Sequence, residues 1–187
     1  MTIPNILTLL RVLLVPVIVI LLISEEKNIL LWWAFVLFLA SSVTDFLDGW
    51  LARKLDQESD FGRLIDPIAD KLLIVGVYFA LVENGTITDL HVVAFILIIC
   101  REILVSALRE YLAQFDINMI TTKLAKLKTA MQLVTSAALI ISPLFSDTFL
   151  LYSLIGLWLS VVITISTGYS YCLYAAKQVG FKNKFRK

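Results

Sequence analysis

Residues 45–53 read DFLDGWLAR and residues 62–70 read GRLIDPIAD, with eight positions between the two segments. Together they hold four aspartates, and they stand between two long apolar runs. Acidic side chains inside a membrane or at its edge are costly and are functional by default. The two segments therefore predict apolar helices arranged around an acidic site.

Helical spacing would let these acids act together. A helix that continues from the apolar run beginning near residue 30 carries one set on a single face, at positions i, i+3, i+4 and i+7: Asp45, Asp48, Gly49 and Ala52. A second face carries three residues at four-residue spacing: Gly62, Asp66 and Asp70. Two such faces, if opposed, form a cluster of oxygen ligands that suits Mg²⁺ or Mn²⁺ bridging phosphates and does not suit zinc. The small residues would let a ligand approach the helix backbone.

Pro67 complicates the second face. It has no N–H and would clash with the carbonyl of Arg63 if a helix were already running there. Two possibilities stay open at this point: the helix begins at Asp66 with Pro67 in its first turn, or the helix is kinked. A simpler interpretation of the whole region is a solvated loop between membrane helices, its acids neutralised by nearby arginines and lysines.

The composition indicates a membrane protein, because 59% of the 187 residues are hydrophobic against about half in soluble domains. Six apolar stretches are long enough, or nearly so, to cross a bilayer as helices: 6–23, 30–50, 67–82, 92–112, 127–142 and 149–174. We therefore expect an all-α integral membrane fold with six transmembrane helices in one domain, residues 1–187. Within the apolar runs, Cys100 and Cys172 are expected to be buried small residues without a disulfide.

Ahead of the first apolar run, Asn5, Thr8 and Arg11 lie near one helical face, so this segment is expected to lie in the membrane interface. Asn5 and Thr8 could equally serve only as helix caps. Lysine and arginine are concentrated after the second and fourth stretches and in the C-terminal tail, whereas the alternate loops hold only Lys27. The positive-inside rule then predicts that both termini and the acidic site face the cytoplasm.

Basic residues form a second candidate site. Arg101 and Glu102 lie near the middle of an apolar run, so they must face protein or water. Arg101 shares a stripe with Arg109, and either anion binding or a structural ion pair would explain it. The next loop holds Lys123, Lys126 and Lys128, which on charge alone would bind anionic lipid. The basic and aromatic tail is expected to lie on the membrane surface and not to bind nucleic acid.

The pattern D-x2-D-G-x2-A-R-x8-G-x3-D-x3-D resembles the CDP-alcohol phosphatidyltransferase family at every fixed position. The resemblance implies that two divalent cations, Mg²⁺ or Mn²⁺, are bound by four acids: Asp45, Asp48, Asp66 and Asp70. It assigns Asp70 as the base that takes the proton of the acceptor hydroxyl. The residues implied in nucleotide binding are Gly49, Ala52, Arg53 and Gly62, together with Asn5 and Thr8 of an N-x2-T-x2-R opening that the family often carries.

The pairs Arg101–Glu102 and Arg109–Glu110, followed by K-x-K-T-x2-Q at 126–132, resemble the branch of this family whose acceptor carries a phosphate. The implied reaction transfers the phosphatidyl group of CDP-diacylglycerol to sn-glycerol 3-phosphate at a cell membrane and releases CMP. The implied phosphate ligands are Arg101, Arg109, Lys123, Lys126 and Lys128. A homodimer is implied as well. Inositol phosphate or phosphatidylglycerol as acceptor, a cation transporter and a prenyl transferase are the alternatives.

Overall fold

A computed structural model describes residues 3–24, 27–54, 60–115, 117, 119 and 123–184. Within these ranges all regular structure is helical, as expected from the apolar runs. The helices are α1 (Ile3–Ile23), α2 (Lys27–Lys54), α3 (Asp60–Glu83), α4 (Leu90–Ala113), α5 (Lys123–Ile141) and α6 (Asp147–Lys184), and a short 3₁₀ turn (Ser142–Leu144) follows α5.

The outer surface of the bundle is apolar, and part of its interior is polar. Leu13 and Val134 are 68% and 70% exposed, whereas Ser136, Ser160 and Thr164 are fully buried. Helix interfaces in membranes use small and hydroxyl-bearing residues in this way, because lipid solvates the apolar side chains. In the described part of the chain, α1, α2, α4, α5 and α6 are long and apolar enough to cross a bilayer. The chain is thus a multi-pass membrane protein.

Two groups of three helices make up the bundle. Helix α1 packs against α2 and α3, and α6 packs against α4 and α5. The groups meet mainly where α2 contacts α5, with smaller contacts of α3 against α4 and α5. A continuous core of buried side chains, including Phe38, Leu81 and Leu157, runs through both groups. Polar side chains on α2, α3, α4 and α5 can therefore meet between the groups.

Helix α3 is already running when it reaches Pro67, because it begins at Asp60. The possibility that this helix starts at Asp66 is therefore wrong. A proline inside a helix leaves the carbonyl four residues earlier without its usual backbone donor, here the carbonyl of Arg63. The continuous helix places Asp66 and Asp70 one turn apart on α3.

The opposite end of the bundle is closed by short polar contacts. The Asn84 side chain donates to the carbonyl oxygen of Leu22 at 3.1 Å, which joins the ends of α1 and α3. Trp158 Nε1 donates to His91 Nδ1 at 3.1 Å and joins α6 to the start of α4.

The expectation for the cysteines was wrong for Cys100, which is exposed, while Cys172 is partly buried; both are free thiols. An apolar run does not reveal which of its faces turns outward.

Candidate active site

Arg11 of α1 brings together acids from α2 and α3. Its Nη1 lies 2.6 Å from Asp45 Oδ1 and 3.3 Å from Asp70 Oδ1. The Arg11 side chain is 1% exposed, whereas those of Asp45 and Asp70 are 40% and 54% exposed. Arg11 is thus a buried cation that holds two carboxylates, and each carboxylate remains partly exposed. Its positive charge offsets the repulsion between them.

The third described acid is held by the same helix. Thr8 Oγ1 donates a hydrogen bond of 2.7 Å to Asp66 Oδ1. Thr8 and Arg11 are three residues apart on α1 and both are buried, so one face of α1 contacts Asp66 and Asp70. Close packing of α1 against α3 explains why Gly62 and Ala69 are buried in this part of α3.

A cluster of opposite charges lies on the second group of helices. Glu102 Oε1 of α4 accepts from Arg101 Nη1 at 3.0 Å and also from Lys128 Nζ of α5. The Lys128 side chain is only 7% exposed. Because two cations share one carboxylate, this triad keeps a net positive charge. Arg109 lies within electrostatic range of Lys128 and adds to the positive potential.

The guanidinium of Arg101 is turned toward α6. Its Nε donates to the carbonyl oxygen of Thr164 at 3.1 Å, and its Nη2 donates to Thr167 Oγ1 at 2.8 Å. The ring of Tyr171 lies 5.8 Å from the guanidinium carbon. Gly168 leaves the space that this side chain occupies, since a Cβ there would lie 2.8 Å from Arg101 Cγ. Arg101 thus joins α4 to α6 as well as contacting Glu102.

A cavity of about 140 Å³ connects the two charged clusters. It lies between α2, α3, α4 and α5, where the two groups of helices meet. Its polar lining consists of Ser42, Asp45, Asp70, Lys71, Glu102, Lys128, Thr129 and Gln132. Most of the remaining wall is apolar: Leu73, Ile74, Val75, Ile99, Ile103 and Leu133. A ligand here would meet Asp45 and Asp70 on one side and Lys128, paired with Glu102, on the other, beside an apolar wall.

The structure brings some of the sequence-predicted residues to this cavity and leaves others apart. Asp45, Asp70 and Lys128 line it, and Asp66 and Thr8 form the adjoining hydrogen bond. Arg109 and Lys126 are exposed and outside its lining. The backbones of further predicted residues lie in α1, α2 and α5, but their side chains are outside the described set: Asn5, Asp48, Gly49, Ala52, Arg53 and Lys123.

Sequence reasoning did not assign roles to Arg11, Lys71, Glu102 or Gln132. Arg11 ends the N-x2-T-x2-R opening, and that spacing was the signal for it. Lys71 follows Asp70 directly and its Nζ contacts Ser106 Oγ on α4, a contact between helices that no local pattern indicates. Glu102 could have been found as the one of two acids in the fourth apolar run that lies near its middle, where a charge needs a partner.

The acids fit a divalent cation by their chemistry. Asp45 on α2 and Asp66 and Asp70 on α3 offer carboxylate oxygens, the donor type that Mg²⁺ and Mn²⁺ prefer. Among the side chains that the structure describes, which do not include Asp48, no three acids or other ligands gather closely enough to hold a metal. In the structure Asp45 Oδ1 and Asp70 Oδ1 contact Arg11, and Asp66 Oδ1 contacts Thr8.

Comparison with known proteins identifies the class. A family model described as CDP-alcohol phosphatidyltransferase matches residues 1–166. This chain belongs to the CDP-alcohol phosphatidyltransferase family, which confirms the resemblance carried by residues 45–70. The acidic site in α2 and α3 and the first basic residues of α4 and α5 all fall within the matched range.

The names of individual relatives are more specific than the family description. The chain is 39% identical over 172 residues to the CDP-diacylglycerol--glycerol-3-phosphate 3-phosphatidyltransferase of Rickettsia typhi (strain ATCC VR-144 / Wilmington), covering 90% of this chain and 94% of that protein. It is 32% identical to the protein of the same name from Wigglesworthia glossinidia brevipalpis, over 98% of this chain and 99% of the relative. The Bacillus subtilis (strain 168) protein of that name is 35% identical over 73% of this chain and 69% of its own length.

Proposed function

We propose that this protein transfers the phosphatidyl group of CDP-diacylglycerol to sn-glycerol 3-phosphate, giving phosphatidylglycerophosphate and CMP. The observation that carries the proposal is the cavity that joins Asp45 and Asp70 to Lys128. It places acids suited to a metal-bound diphosphate opposite a buried cation suited to a phosphate monoester. The names of relatives that align over nearly the whole chain support the same reaction.

The acids would hold the cations and the reacting phosphate. We assign Asp45, Asp48, Asp66 and Asp70 to two divalent cations, Mg²⁺ or Mn²⁺, which when bound neutralise the diphosphate and the charge that develops on CMP. Gly49, Ala52, Arg53 and Gly62 are assigned to the CDP group, with Asn5 and Thr8 beside them. Thr8 supports this placement because it already contacts Asp66.

We assign Asp70 as the base. Its side chain is 54% exposed and lines the cavity, so an incoming hydroxyl can reach it. The hydroxyl oxygen of the acceptor attacks the phosphorus next to diacylglycerol, its proton passes to Asp70, and the bond from that phosphorus to the CMP oxygen breaks. Orientation by the walls of the cavity lowers the entropy cost of this encounter.

The acceptor phosphate would meet the positive side of the cavity. Lys128 lines the cavity, Lys123 and Lys126 precede Lys128 on α5, and Arg109 of α4 lies within electrostatic range of it. Arg101 was also assigned to this phosphate, and its contacts favour an indirect part for it: it holds Glu102, to which Lys128 also binds. The net positive charge of the triad would then attract the phosphate.

We further propose a single domain with six membrane crossings, in which α3 crosses the membrane in addition to the five helices named above. The first segment of α1 would lie in the membrane interface. Both termini and the acidic site would face the cytoplasm of the cell membrane, where a nucleotide-activated lipid and a soluble phosphate are available. The positive-inside rule supports this orientation. A homodimer is the expected assembly.

The reaction is tested by CMP release from CDP-diacylglycerol with purified protein and a panel of acceptors. Glycerol 3-phosphate should be used, and glycerol, inositol phosphate and phosphatidylglycerol should be poor substrates, because they lack the matching phosphate or shape. Equal use of glycerol would contradict the phosphate-binding side of the cavity. No CMP release with any acceptor would contradict the enzyme assignment and favour a transporter.

Chelation tests the metal assignment. Removing divalent cations should abolish CMP release, and Mg²⁺ or Mn²⁺ should restore it, because carboxylate ligands favour hard cations. Restoration by Zn²⁺ alone would contradict the ligand set. A chelator already saturated with Mg²⁺ is the control.

A further inference from the structure

Gln132 is a buried amide in the wall of the cavity. It follows Lys128 by one turn of α5, so the two side chains share a face. Gln132 is 5% exposed and Lys128 is 6% exposed, and both line the cavity between the two groups of helices. Gln132 thus stands next to the cation assigned to the acceptor phosphate.

The amide differs from the other polar groups of the cavity in lacking a partner. Asp45 and Asp70 contact Arg11, and Lys128 contacts Glu102. The rest of the polar lining is paired as well: Lys71 with Ser106, Ser42 with the carbonyl of Phe38, and Thr129 with the carbonyl of Ala125. Among the described residues that line the cavity, only Gln132 has a buried side-chain atom, Nε2, without a hydrogen bond.

An unpaired buried donor is costly, so a partner is expected for it. The other polar side chains of the lining already have partners of their own, which leaves a ligand in the cavity as the source of a partner for Gln132. The terminal torsion of glutamine is broad, so the amide can turn either its N–H groups or its oxygen toward a ligand. A neutral group that both donates and accepts matches a hydroxyl better than it matches a phosphate, which is matched by cations.

We propose that Gln132 is a specificity-determining residue that hydrogen-bonds the secondary hydroxyl of the acceptor. The inference rests on the proposed function and deepens it. With the acceptor phosphate at Lys128 and its primary hydroxyl at Asp70, the carbon between them carries the secondary hydroxyl. Gln132, one turn from Lys128 in the same lining, is the side chain that we assign to that hydroxyl.

The test pairs a change in the protein with a change in the substrate. Glycerol 3-phosphate is compared with 3-hydroxypropyl phosphate, which keeps the phosphate and the primary hydroxyl and lacks only the secondary one. The unmodified protein should prefer glycerol 3-phosphate by about tenfold in kcat/KM, because one neutral hydrogen bond is lost with the analogue. In Gln132→Met the preference should fall to within about twofold, through a loss with glycerol 3-phosphate alone.

Ser136→Ala is the matched control. Ser136 is buried one turn further along α5 and is outside the lining of the cavity. Its replacement should leave the tenfold preference intact. A loss of preference in this variant as well would assign the effect to packing of α5 and overturn the proposal.

Other outcomes are equally decisive. If Gln132→Met slows both acceptors alike, the amide supports the fold or holds only an ordered water, and the proposal is wrong. If the variant does not fold, the unmodified protein still decides, because use of both acceptors within about twofold shows that the secondary hydroxyl is not read. Failure of the unmodified protein to release CMP with glycerol 3-phosphate would instead refute the proposed function.

Discussion

At the residue scale, the Asp70 side chain contacts a buried cation on one side and is open to the cavity on the other. One oxygen contacts the buried guanidinium of Arg11, and about half of the side chain stays open to the cavity. The contact fixes the position of the carboxylate, and the open side lets it meet a substrate. A base must satisfy both conditions, since proton transfer needs a defined geometry as well as access.

Asp70→Asn tests this role. The amide keeps the size of the side chain but cannot take a proton, so kcat should fall by roughly 10²–10⁴ while the thermal midpoint changes little. CMP release and thermal unfolding in detergent are the measurements. Asp89→Asn, an exposed acid before α4, should be as active as the unmodified protein. Activity of Asp70→Asn within about twofold of the unmodified protein would rule out the assignment.

Arg11→Gln should destabilise the protein, because it removes the cation shared by Asp45 and Asp70. Loss of one partner from a fully buried pair costs about 3–5 kcal/mol, and we expect about 1–3 kcal/mol here because the acids are partly exposed. Mg²⁺ should recover part of the loss by supplying positive charge to the same acids. The measurement is thermal unfolding with Mg²⁺ and with chelator.

Glu83→Gln at the exposed end of α3 is the control for this experiment and should have little effect on unfolding. An Arg11→Gln protein as stable as the unmodified one would show that the acids need no internal cation. An equal loss with Mg²⁺ and with chelator would show that the metal does not bind at these acids.

At the scale of elements, the contact between α4 and α6 depends on a glycine, Gly168 of α6. Gly168 allows Arg101 to lie against α6, where its guanidinium reaches Thr164 and Thr167. The backbone carbonyl and the hydroxyl satisfy two sides of the guanidinium, and Glu102 satisfies the third. The helix interface and the charged triad of the cavity are therefore coupled through Arg101.

Gly168→Ala should lower the free energy of unfolding by about 1–3 kcal/mol through overpacking, less about 1 kcal/mol that alanine returns as helix propensity. Thermal unfolding measures the change. The exposed Ser170→Ala, two residues along α6, should have a much smaller effect. Adding Arg101→Ala should remove most of the cost of Gly168→Ala; strict additivity of the two changes would contradict the close contact.

The sequence predicted most helices well and the start of α3 poorly. The expected stretch 6–23 falls in α1 (Ile3–Ile23), and 92–112 falls in α4 (Leu90–Ala113), because long apolar runs in a membrane must be helical. The start of α3 was predicted poorly. Local rules disfavour a helix that runs into Pro67, and in the structure packing of α1 against this part of α3 outweighs that preference.

At the scale of the whole molecule, the distribution of lysine and arginine between the loops predicts the orientation in the membrane. If both termini are cytoplasmic, a fluorescent protein fused after Lys187 should fold and fluoresce in cells, whereas alkaline phosphatase fused there should be inactive. Fusions between the end of α1 and the start of α2 should give the opposite result. Active phosphatase at the C-terminus would reverse the orientation and place the acidic site on the outer side.

The acidic half of the site was predictable, and the way the halves meet was not. Asp45, Asp66 and Asp70 belong to a pattern with fixed local spacing, so the sequence alone predicted that they lie close together. The contacts of Glu102 with Lys128 and of Arg11 with Asp45 join residues on different helices. Such contacts depend on which helices pack together, and local periodicity does not contain that information.

Each group of three helices has its own central member, α1 in one and α6 in the other. The acids lie in the first group, and Lys128, Glu102 and Gln132 lie in the second. Under the assignments proposed above, recognition of the activated donor and choice of the alcohol would be encoded in separate halves of the gene. Evolution could change the alcohol by altering residues after 90 alone, and chimeras joined in the loop before α4 would inherit their donor from one parent and their acceptor from the other, provided that the surfaces of α2 and α5 still match.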